Sequence, residues 1–215
     1  MFPETITTDR LRLERLCHET VNVFEYHAFC SRQEPAIEEV TEYLPWGPHE
    51  TVKETRDYID ELESEWEAGT RAEYVIRPKE GASGAGETVG AGGLLVDWET
   101  RTGRPAIWLR KAFWGNGYAG ERAEAMLKLA FDRLGLELVA VPVEDGNDRS
   151  RRAVETYVEA HGGDYDGLVR NATVPARRSH HRSPPLHRHG SAVPRDSGRR
   201  VAGHGPVDAG RKEDE

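Results

Sequence analysis

The sequence has few cysteines and no long apolar run. Cys17 and Cys30 are its only cysteines, and their spacing fits neither a CxxC motif nor the dense pattern of a disulfide-stabilised secreted domain. No apolar stretch is long enough to cross a bilayer, and the opening residues MFPETITTDR lack the basic and apolar regions of a signal peptide. The sequence therefore predicts a cytoplasmic protein without a membrane segment or a cysteine-rich metal site.

Basic residues are scarce relative to acidic ones. The chain of 215 residues has 29 Lys and Arg against 38 Asp and Glu, which gives a formal net charge of −9. A surface with this balance argues against general nucleic-acid binding, because phosphate contacts need a concentration of cations. The deficit is confined to residues 1–172, since residues 173–215 contain more basic than acidic side chains.

Residues 173–215 also lack aromatic residues and isoleucine and contain a single leucine. They are rich in Arg, Pro, Gly and His, a composition that cannot bury enough apolar area to offset the loss of chain entropy. We therefore expect one folded domain over residues 1–172, followed by a disordered basic tail over residues 173–215. Two origins of this tail stay open: a shift of reading frame near residue 174 in a GC-rich gene, and a natural basic extension.

Hydrophobic periodicity indicates strands and helices in the first 172 residues. Strands are predicted by apolar alternation or short apolar runs, and helices by apolar residues three or four positions apart. The predicted strands lie within 5–16 and at 72–77, 88–98, 104–111 and 136–143, and the predicted helices lie at 19–30, 50–67, 119–134 and 147–161. The strands at 72–77 and 88–98 are expected to form an antiparallel hairpin, so this order predicts a mixed α+β fold.

A glycine-rich turn, FWGNGYAGE at residues 113–121, connects a predicted strand to a predicted helix. Glycines at such a turn allow backbone amides to point outward at the helix N-terminus, where unsatisfied N–H groups and the helix dipole favour a phosphate. An ordinary tight turn is the plainer alternative, since Gly and Asn are common turn residues. Gly115, Gly117 and Gly120 also satisfy the GxGxxG dinucleotide pattern, with Glu144 as the acid for a ribose. The antiparallel hairpin that precedes the turn disfavours this third alternative.

Several motifs together resemble the GNAT acetyltransferase superfamily, in particular its ribosomal-protein N-terminal acetyltransferase branch. The resemblance covers roughly residues 5–170, and its most specific part is the turn motif combined with an Asn–x–x–Ser spacing after the next strand. The residues that carry it are TDRLRL at 8–13, GAGG at 90–93, WL at 108–109, FWGNGYA at 113–119, AF at 130–131 and NDRSRR at 147–152. The resemblance implies a largely antiparallel sheet, flanked by helices, that opens in a V-shaped split.

The resemblance implies acetyl-CoA as the acetyl donor. Its pantetheine arm is expected to pair with the strand around Leu109 to Lys111, and Asn147 is expected to contact the pantetheine or acetyl region. Its pyrophosphate is expected on the turn amides of Gly115, Asn116, Gly117, Tyr118, Ala119 and Gly120. Trp114 occupies the position where the family has Gln or Arg, so the backbone amides remain the main phosphate ligands.

The family transfers the acetyl group directly from the thioester to a primary amine, on a protein N-terminus or on a small molecule. The family's proton-donating tyrosine is replaced by Val154, so Ser150 is the candidate to protonate the leaving sulfur. Asp97 and Glu99, at the end of the central strand, are candidate bases, and Trp46 is a candidate contact for the acceptor. The simpler roles for these residues are a first-turn helix serine, solvated acids, and a core or pocket wall.

One expected part of the sheet is missing from the sequence pattern. The family closes its sheet with a strand pair after the last helix, and residues 163–170 can supply one of these strands. The second would fall in the Arg/Pro/His-rich region, where no alternating apolar run is visible. We therefore expect the final strand to be absent, and the alternative function is a GNAT-fold acyl-CoA binding module with weak or lost catalysis. No metal is expected because the histidines lack the spacing of metal ligands. No nucleic acid or membrane is expected to bind the chain. The chain is expected to be a monomer or a homodimer.

Overall fold

The computed structural model describes residues 1–169 and 188–195, which form an open sheet with helices on both faces. The strands in these ranges are β1 (Thr5–Thr7), β2 (Leu11–Arg15), β3 (Arg71–Pro78), β4 (Gly90–Asp97), β5 (Thr102–Leu109), β6 (Leu138–Glu144), β7 (Asp164–Val169) and β8 (Arg188–Pro194). Their spatial order is β1-β2-β3-β4-β5-β6-β8-β7, and β5–β6 is the parallel pair among antiparallel neighbours. The mixed, largely antiparallel fold class predicted from the sequence is therefore confirmed.

Helices cover both faces of the sheet. They are α1 (Val23–Cys30), α2 (Ile37–Thr41), α3 (Val52–Glu67), α4 (Tyr118–Lys128) and α5 (Asp148–Ala160), with a 3-10 turn at Lys111–Phe113 and a wider π-helical turn at Leu129–Arg133. The amphipathic pattern of α3 explains its position, because Ile59, Leu62 and Trp66 lie on one buried face. Thr51 caps this helix by accepting the backbone N–H of Glu54. Within the described residues, none of the helices has the length and apolar composition needed to cross a membrane.

Alternation along the strands divides the apolar residues between two cores. On one face, Val75, Ala91 and Trp108 pack in a cluster with residues of α1, α2 and α3. On the other face, Leu94 and Leu109 join a larger cluster with residues of α4 and α5. Each face of the sheet therefore has its own core, which lies between the strands and the helices that cover that face.

β5 and β6 pair only at their first residues. Thr102 pairs with Leu138 and Gly103 pairs with Val139, and the rest of β5 up to Leu109 has no paired residue in β6. Both strands run in the same direction, so the gap between them opens toward their carboxyl ends. The V-shaped split that the resemblance implied is thus present between β5 and β6.

A final strand is present, so the expectation that it is absent is wrong. β8 lies between β6 and β7 and pairs antiparallel with both of them. Its residues Ser191, Ala192 and Val193 are buried, and Val193 belongs to the larger core. Apolar alternation in the sequence does not predict this strand, because its buried residues are small and few and lie in a stretch dominated by Arg, His and Pro. The remainder of the expected disordered tail, with the hypothesis of a shifted reading frame, lies outside the described residues.

Candidate active site

The edge of β5 that faces the split carries backbone groups that do not pair with β6. The carbonyl oxygens of Ala106 and Trp108 point toward β4, where glycines leave room for them: a Cβ placed on Gly92 would lie 2.6 Å from the Ala106 oxygen. Peptide groups alternate in direction along a strand, so those of Ile107 and Leu109 point into the split. An extended ligand with amide groups can pair with this edge in the way an added strand does.

At the open end of the split, the chain turns from β5 into α4 through residues 110–117. Gly115 and Gly117 have positive φ angles of 83° and 77°, a region that favours glycine. The helix begins after Gly117 without a side-chain cap. Within the described part of the chain, the backbone amides of residues 115–120 have no protein acceptor. Free amides at a helix N-terminus form a site for an anion such as a pyrophosphate.

Trp114 lies in this turn and contacts both walls of the split. Its indole N–H donates to the Leu109 carbonyl oxygen at 2.8 Å, and the guanidinium carbon of Arg149 lies 3.9 Å from the centroid of its ring. Arg149 belongs to the first turn of α5, which follows β6. A cation–π contact therefore joins the two walls at the open end. Because the single side-chain donor of Trp114 is already used by Leu109, the backbone amides are the donors left for an anion.

Asn147 and Ser150 lie on the wall formed by β6 and α5. The Oδ1 atom of Asn147 accepts the backbone N–H of Ser150 at 3.1 Å and so caps α5. This cap does not use the side-chain N–H groups of Asn147. The preceding Gly146 has a φ of 91°, and a Cβ on it would lie 3.7 Å from the hydroxyl oxygen of Tyr43. The segment after α2 thus approaches the start of α5.

Trp46 and Trp108 form an aromatic wall on the face of the sheet covered by α1–α3. Their ring centroids are 5.6 Å apart in an edge-to-face arrangement. The ring centroid of His49 lies 5.7 Å from that of Trp46. The Thr55 hydroxyl oxygen is 2.8 Å from Nδ1 of His49 and 2.9 Å from Nδ1 of His27. Burial lowers the pKa of His49 and favours the neutral imidazole beside this wall.

Asp97 and Glu99, the candidate bases, lie at the closed end of the split, so the structure does not bring them to the glycine turn. Asp97 pairs with Thr102 at the start of β5, whereas Leu109 at the end of β5 pairs with Gly90. A strand of this length spans about 23 Å. The Asp97 carboxylate accepts hydrogen bonds from the backbone N–H groups of Glu99 and Thr100, and so stabilises the hairpin turn. Because β4 and β5 are antiparallel, the last residue of β4 lies beside the first residue of β5. These acids are therefore about one strand length away from the glycine turn, which follows the last residue of β5.

Lys111 does not extend β5 as expected. It begins the 3-10 turn Lys111–Phe113, and its ammonium group pairs with the carboxylate of Glu39 in α2. Leu109 is the last residue of the strand, and Ile107 is the residue facing the split that sequence reasoning missed. Strand alternation already carried the signal for Ile107, because it lies two positions before Leu109 and shares its direction.

Comparison with known proteins identifies the family of this fold. A family model described as an acetyltransferase (GNAT) domain matches residues 10–157, which is more than half of the chain. No curated protein sequence is similar enough to this chain to count as a match. Solved structures match it over most of its length at low sequence identity, and such a likeness shows the fold alone.

Three of these structures are acetyltransferases whose names or bound ligands indicate what they act on. The ribosomal L7/L12 α-N-protein acetyltransferase RimL is 14% identical, with a TM-score of 0.70 and coverage of 89% of this chain and 94% of that chain. The microcin C7 self-immunity acetyltransferase MccE, solved with acetyl-CoA and AMP, is 13% identical, with a TM-score of 0.70 and coverage of 90% and 97%. The spermidine N-acetyltransferase from Vibrio cholerae, solved with CoA and spermine, is 14% identical, with a TM-score of 0.65 and coverage of 87% and 97%.

The dinucleotide-binding alternative for the glycine turn does not hold. Such a fold needs a continuous parallel sheet, whereas the parallel contact between β5 and β6 is limited to two residue pairs and β6 continues into antiparallel neighbours. The split, the free edge of β5 and the uncapped turn are instead the features that the resemblance implied. With a family match over residues 10–157, the chain belongs to the GNAT acetyltransferase family.

Proposed function

We propose that the chain is an acetyl-CoA-dependent N-acetyltransferase that moves an acetyl group directly to a primary amine. The observation that carries this proposal is the split between β5 and β6, whose free strand edge leads to the uncapped amides of residues 115–120. CoA has the matching shape, since its extended arm carries amide groups and ends in a pyrophosphate. Membership of the family supports the same donor, as does the fold shared with acetyltransferases solved with acetyl-CoA or CoA.

In this proposal, the two walls of the split hold different parts of the donor. The Ile107 carbonyl and the Leu109 N–H pair with the pantetheine arm, and the amides of residues 115–120 hold the pyrophosphate. Asn147 caps α5 with its oxygen and offers its side-chain N–H groups to the arm. When bound, acetyl-CoA supplies an acetyl group activated as a thioester.

The chemistry then uses groups at the split and at the aromatic wall. The backbone N–H of Ile107, which faces the split deeper than Leu109, stabilises negative charge that develops on the acetyl oxygen. As the C–N bond forms and the C–S bond breaks, the amine gives up one proton. The Ser150 hydroxyl, in the first turn of α5, accepts this proton while its own proton passes to the leaving sulfur, so the products are the N-acetylated amine and the CoA thiol. The amine enters along Trp46 and Trp108 and attacks in its neutral form. The acceptor is a protein N-terminus or a small primary amine.

The test is a calorimetric titration of acetyl-CoA into the full chain, followed by incubation with a serine-starting peptide, spermidine and glucosamine. We expect micromolar binding and transfer to at least one amine, detected as released CoA thiol and as the mass gain of the acceptor. Binding without transfer to any of them favours the alternative of a binding module with weak or lost catalysis. No binding to a folded chain removes the proposal.

We further propose the cytoplasm as the compartment of this reaction. Cys17 and Cys30 are both free, buried thiols, as expected in a reducing environment. A monomer is sufficient for the proposed reaction because one chain supplies both walls of the split.

A further inference from the structure

Glu121, in the first turn of α4, receives three hydrogen bonds from the turn between β1 and β2. The Thr8 hydroxyl donates to its Oε1 atom at 2.5 Å, and the backbone N–H of Arg10 donates to the same oxygen at 2.7 Å. The Nε–H of Arg10 donates to Oε2 at 2.7 Å. The Glu121 side chain is only 14% exposed, so these charge-assisted bonds are partly shielded from water. We call Thr8, Arg10 and Glu121 the Glu121 clamp.

The Glu121 clamp also reaches the glycine turn. The Nη1 atom of Arg10 donates to the Asn116 carbonyl oxygen at 2.9 Å. Its Nη2 atom lies 3.3 Å from the position that a Cβ on Gly117 would take. Among the described residues, Arg10 is the only side chain from outside residues 109–122 that hydrogen-bonds the backbone of residues 115–120.

The turn needs such a support from outside. It contains Gly115, Gly117 and Gly120, and glycine loses more conformational entropy on ordering than other residues. No side chain caps α4 at Gly117. Amides bind an anion well only when their orientation is fixed before the anion arrives, because otherwise binding also has to order the backbone.

We propose that Thr8, Arg10 and Glu121 are positioning residues that hold the amides of the turn ready for a pyrophosphate, an inference that rests on the proposed function. The Glu121 clamp acts through the peptide between Asn116 and Gly117 and through the first turn of α4. A purely electrostatic role for these charges predicts the opposite effect at Glu121. Its carboxylate would repel the bound pyrophosphate, so removal of its charge would strengthen binding. The sign of the effect at Glu121 therefore separates the two roles.

The test is a Glu121→Gln substitution in the full chain, with CoA binding measured by calorimetry and folding checked by thermal denaturation. Glutamine keeps one acceptor oxygen but turns an N–H₂ group toward the Arg10 donor, so the Glu121 clamp opens. We expect CoA to bind about tenfold more weakly, although the substitution removes a negative charge beside an anion. Arg10→Gln is expected to lose a similar factor. The double variant loses no more than the weaker-binding single variant, because both changes break one unit.

Two comparisons make this test specific to the turn. Glu137→Gln is the matched control, because Glu137 pairs with Arg101 at the closed end of the split and its substitution leaves CoA affinity unchanged. Pantetheine has the amide arm without the pyrophosphate, and we expect its affinity, measured by NMR titration, to be equal in Glu121→Gln and in the unsubstituted chain. Equal or tighter CoA binding by Glu121→Gln, or an equal loss for pantetheine, overturns the positioning role. Absence of CoA binding by the unsubstituted chain instead removes the proposed function.

Discussion

Gly117 is the residue at which the chain changes direction into α4, and residues with a side chain rarely adopt its φ of 77°. A Gly117→Ala substitution also brings a methyl group to within 3.3 Å of Arg10 Nη2. We expect it to lower the unfolding free energy by about 1 kcal/mol and to weaken acetyl-CoA binding about tenfold, since the amides of the turn are displaced. Urea denaturation and calorimetry measure the two effects.

Gly81→Ala is the matched control for this substitution. Gly81 has a φ of 87° in the loop between β3 and β4, and nothing lies within 4 Å of a Cβ placed on it. It therefore carries a similar backbone cost without touching the turn, and acetyl-CoA affinity should stay unchanged. Equal losses of affinity in the two variants would contradict a role for Gly117 in the site.

His49 is a half-buried histidine whose pKa is lowered from 6.5, mainly by desolvation, with Glu54 opposing the shift and His27 adding to it. Because its folded pKa lies below its unfolded value, the unfolded chain binds more protons as the pH falls through 6.5, and the stability of the neutral ring is lost toward acid. A His49→Asn variant keeps a polar atom toward Thr55 but does not titrate. We expect it to lose less unfolding free energy than the unsubstituted chain when the pH falls from about 7.5 to about 5.5. Urea denaturation at both pH values measures the difference, and equal losses would rule out His49 as its source.

At the scale of secondary-structure elements, Asn147 caps α5, and the proposed function adds a contact between its side-chain N–H groups and the donor. Asn147→Ser keeps an oxygen that can cap the helix but removes the side-chain N–H groups. We expect the serine variant to retain its stability within about 0.5 kcal/mol and to bind acetyl-CoA about fivefold more weakly. Asn147→Ala is expected to show the same loss of affinity and, in addition, a loss of about 1 kcal/mol of unfolding free energy. Unchanged binding by the serine variant would leave Asn147 as a cap alone.

Elements with a strong local pattern could be predicted from the sequence, and elements fixed by distant partners could not. The helix α3 is visible because Ile59, Leu62 and Trp66 repeat at helical spacing. β8 is held by pairing with β6 and β7 and buries only small residues, so no local period reveals it. The glycine turn was predicted as an anion site, but the position of Asp97 depends on the direction of a hairpin relative to the split. The Glu121 clamp joins residues more than a hundred positions apart, which no local spacing indicates.

At the scale of the whole molecule, β8 makes part of the predicted tail a component of the sheet. A chain that ends at residue 172 loses this strand, which exposes the edges of β6 and β7 and removes buried Val193 from the core. We expect the shortened chain to be less stable than the full chain by at least about 2 kcal/mol, the value of one buried valine, or to aggregate. Urea denaturation and size-exclusion chromatography of both chains check this expectation. Equal stability would show that β8 contributes nothing to the fold.

The narrow seam between β5 and β6 divides the sheet into two blocks, β1–β5 and β6–β8. In the first block, strands that are neighbours in space are also consecutive along the chain, whereas the second block is attached by that seam and by helix packing. A molecule that binds in the split contacts both blocks and therefore stabilises their association. Under the proposed function, the concentration of acetyl-CoA therefore governs how often the second block opens. Amide exchange in β6 and β8 is expected to slow on saturation with acetyl-CoA, while exchange in β2 and β3 changes little.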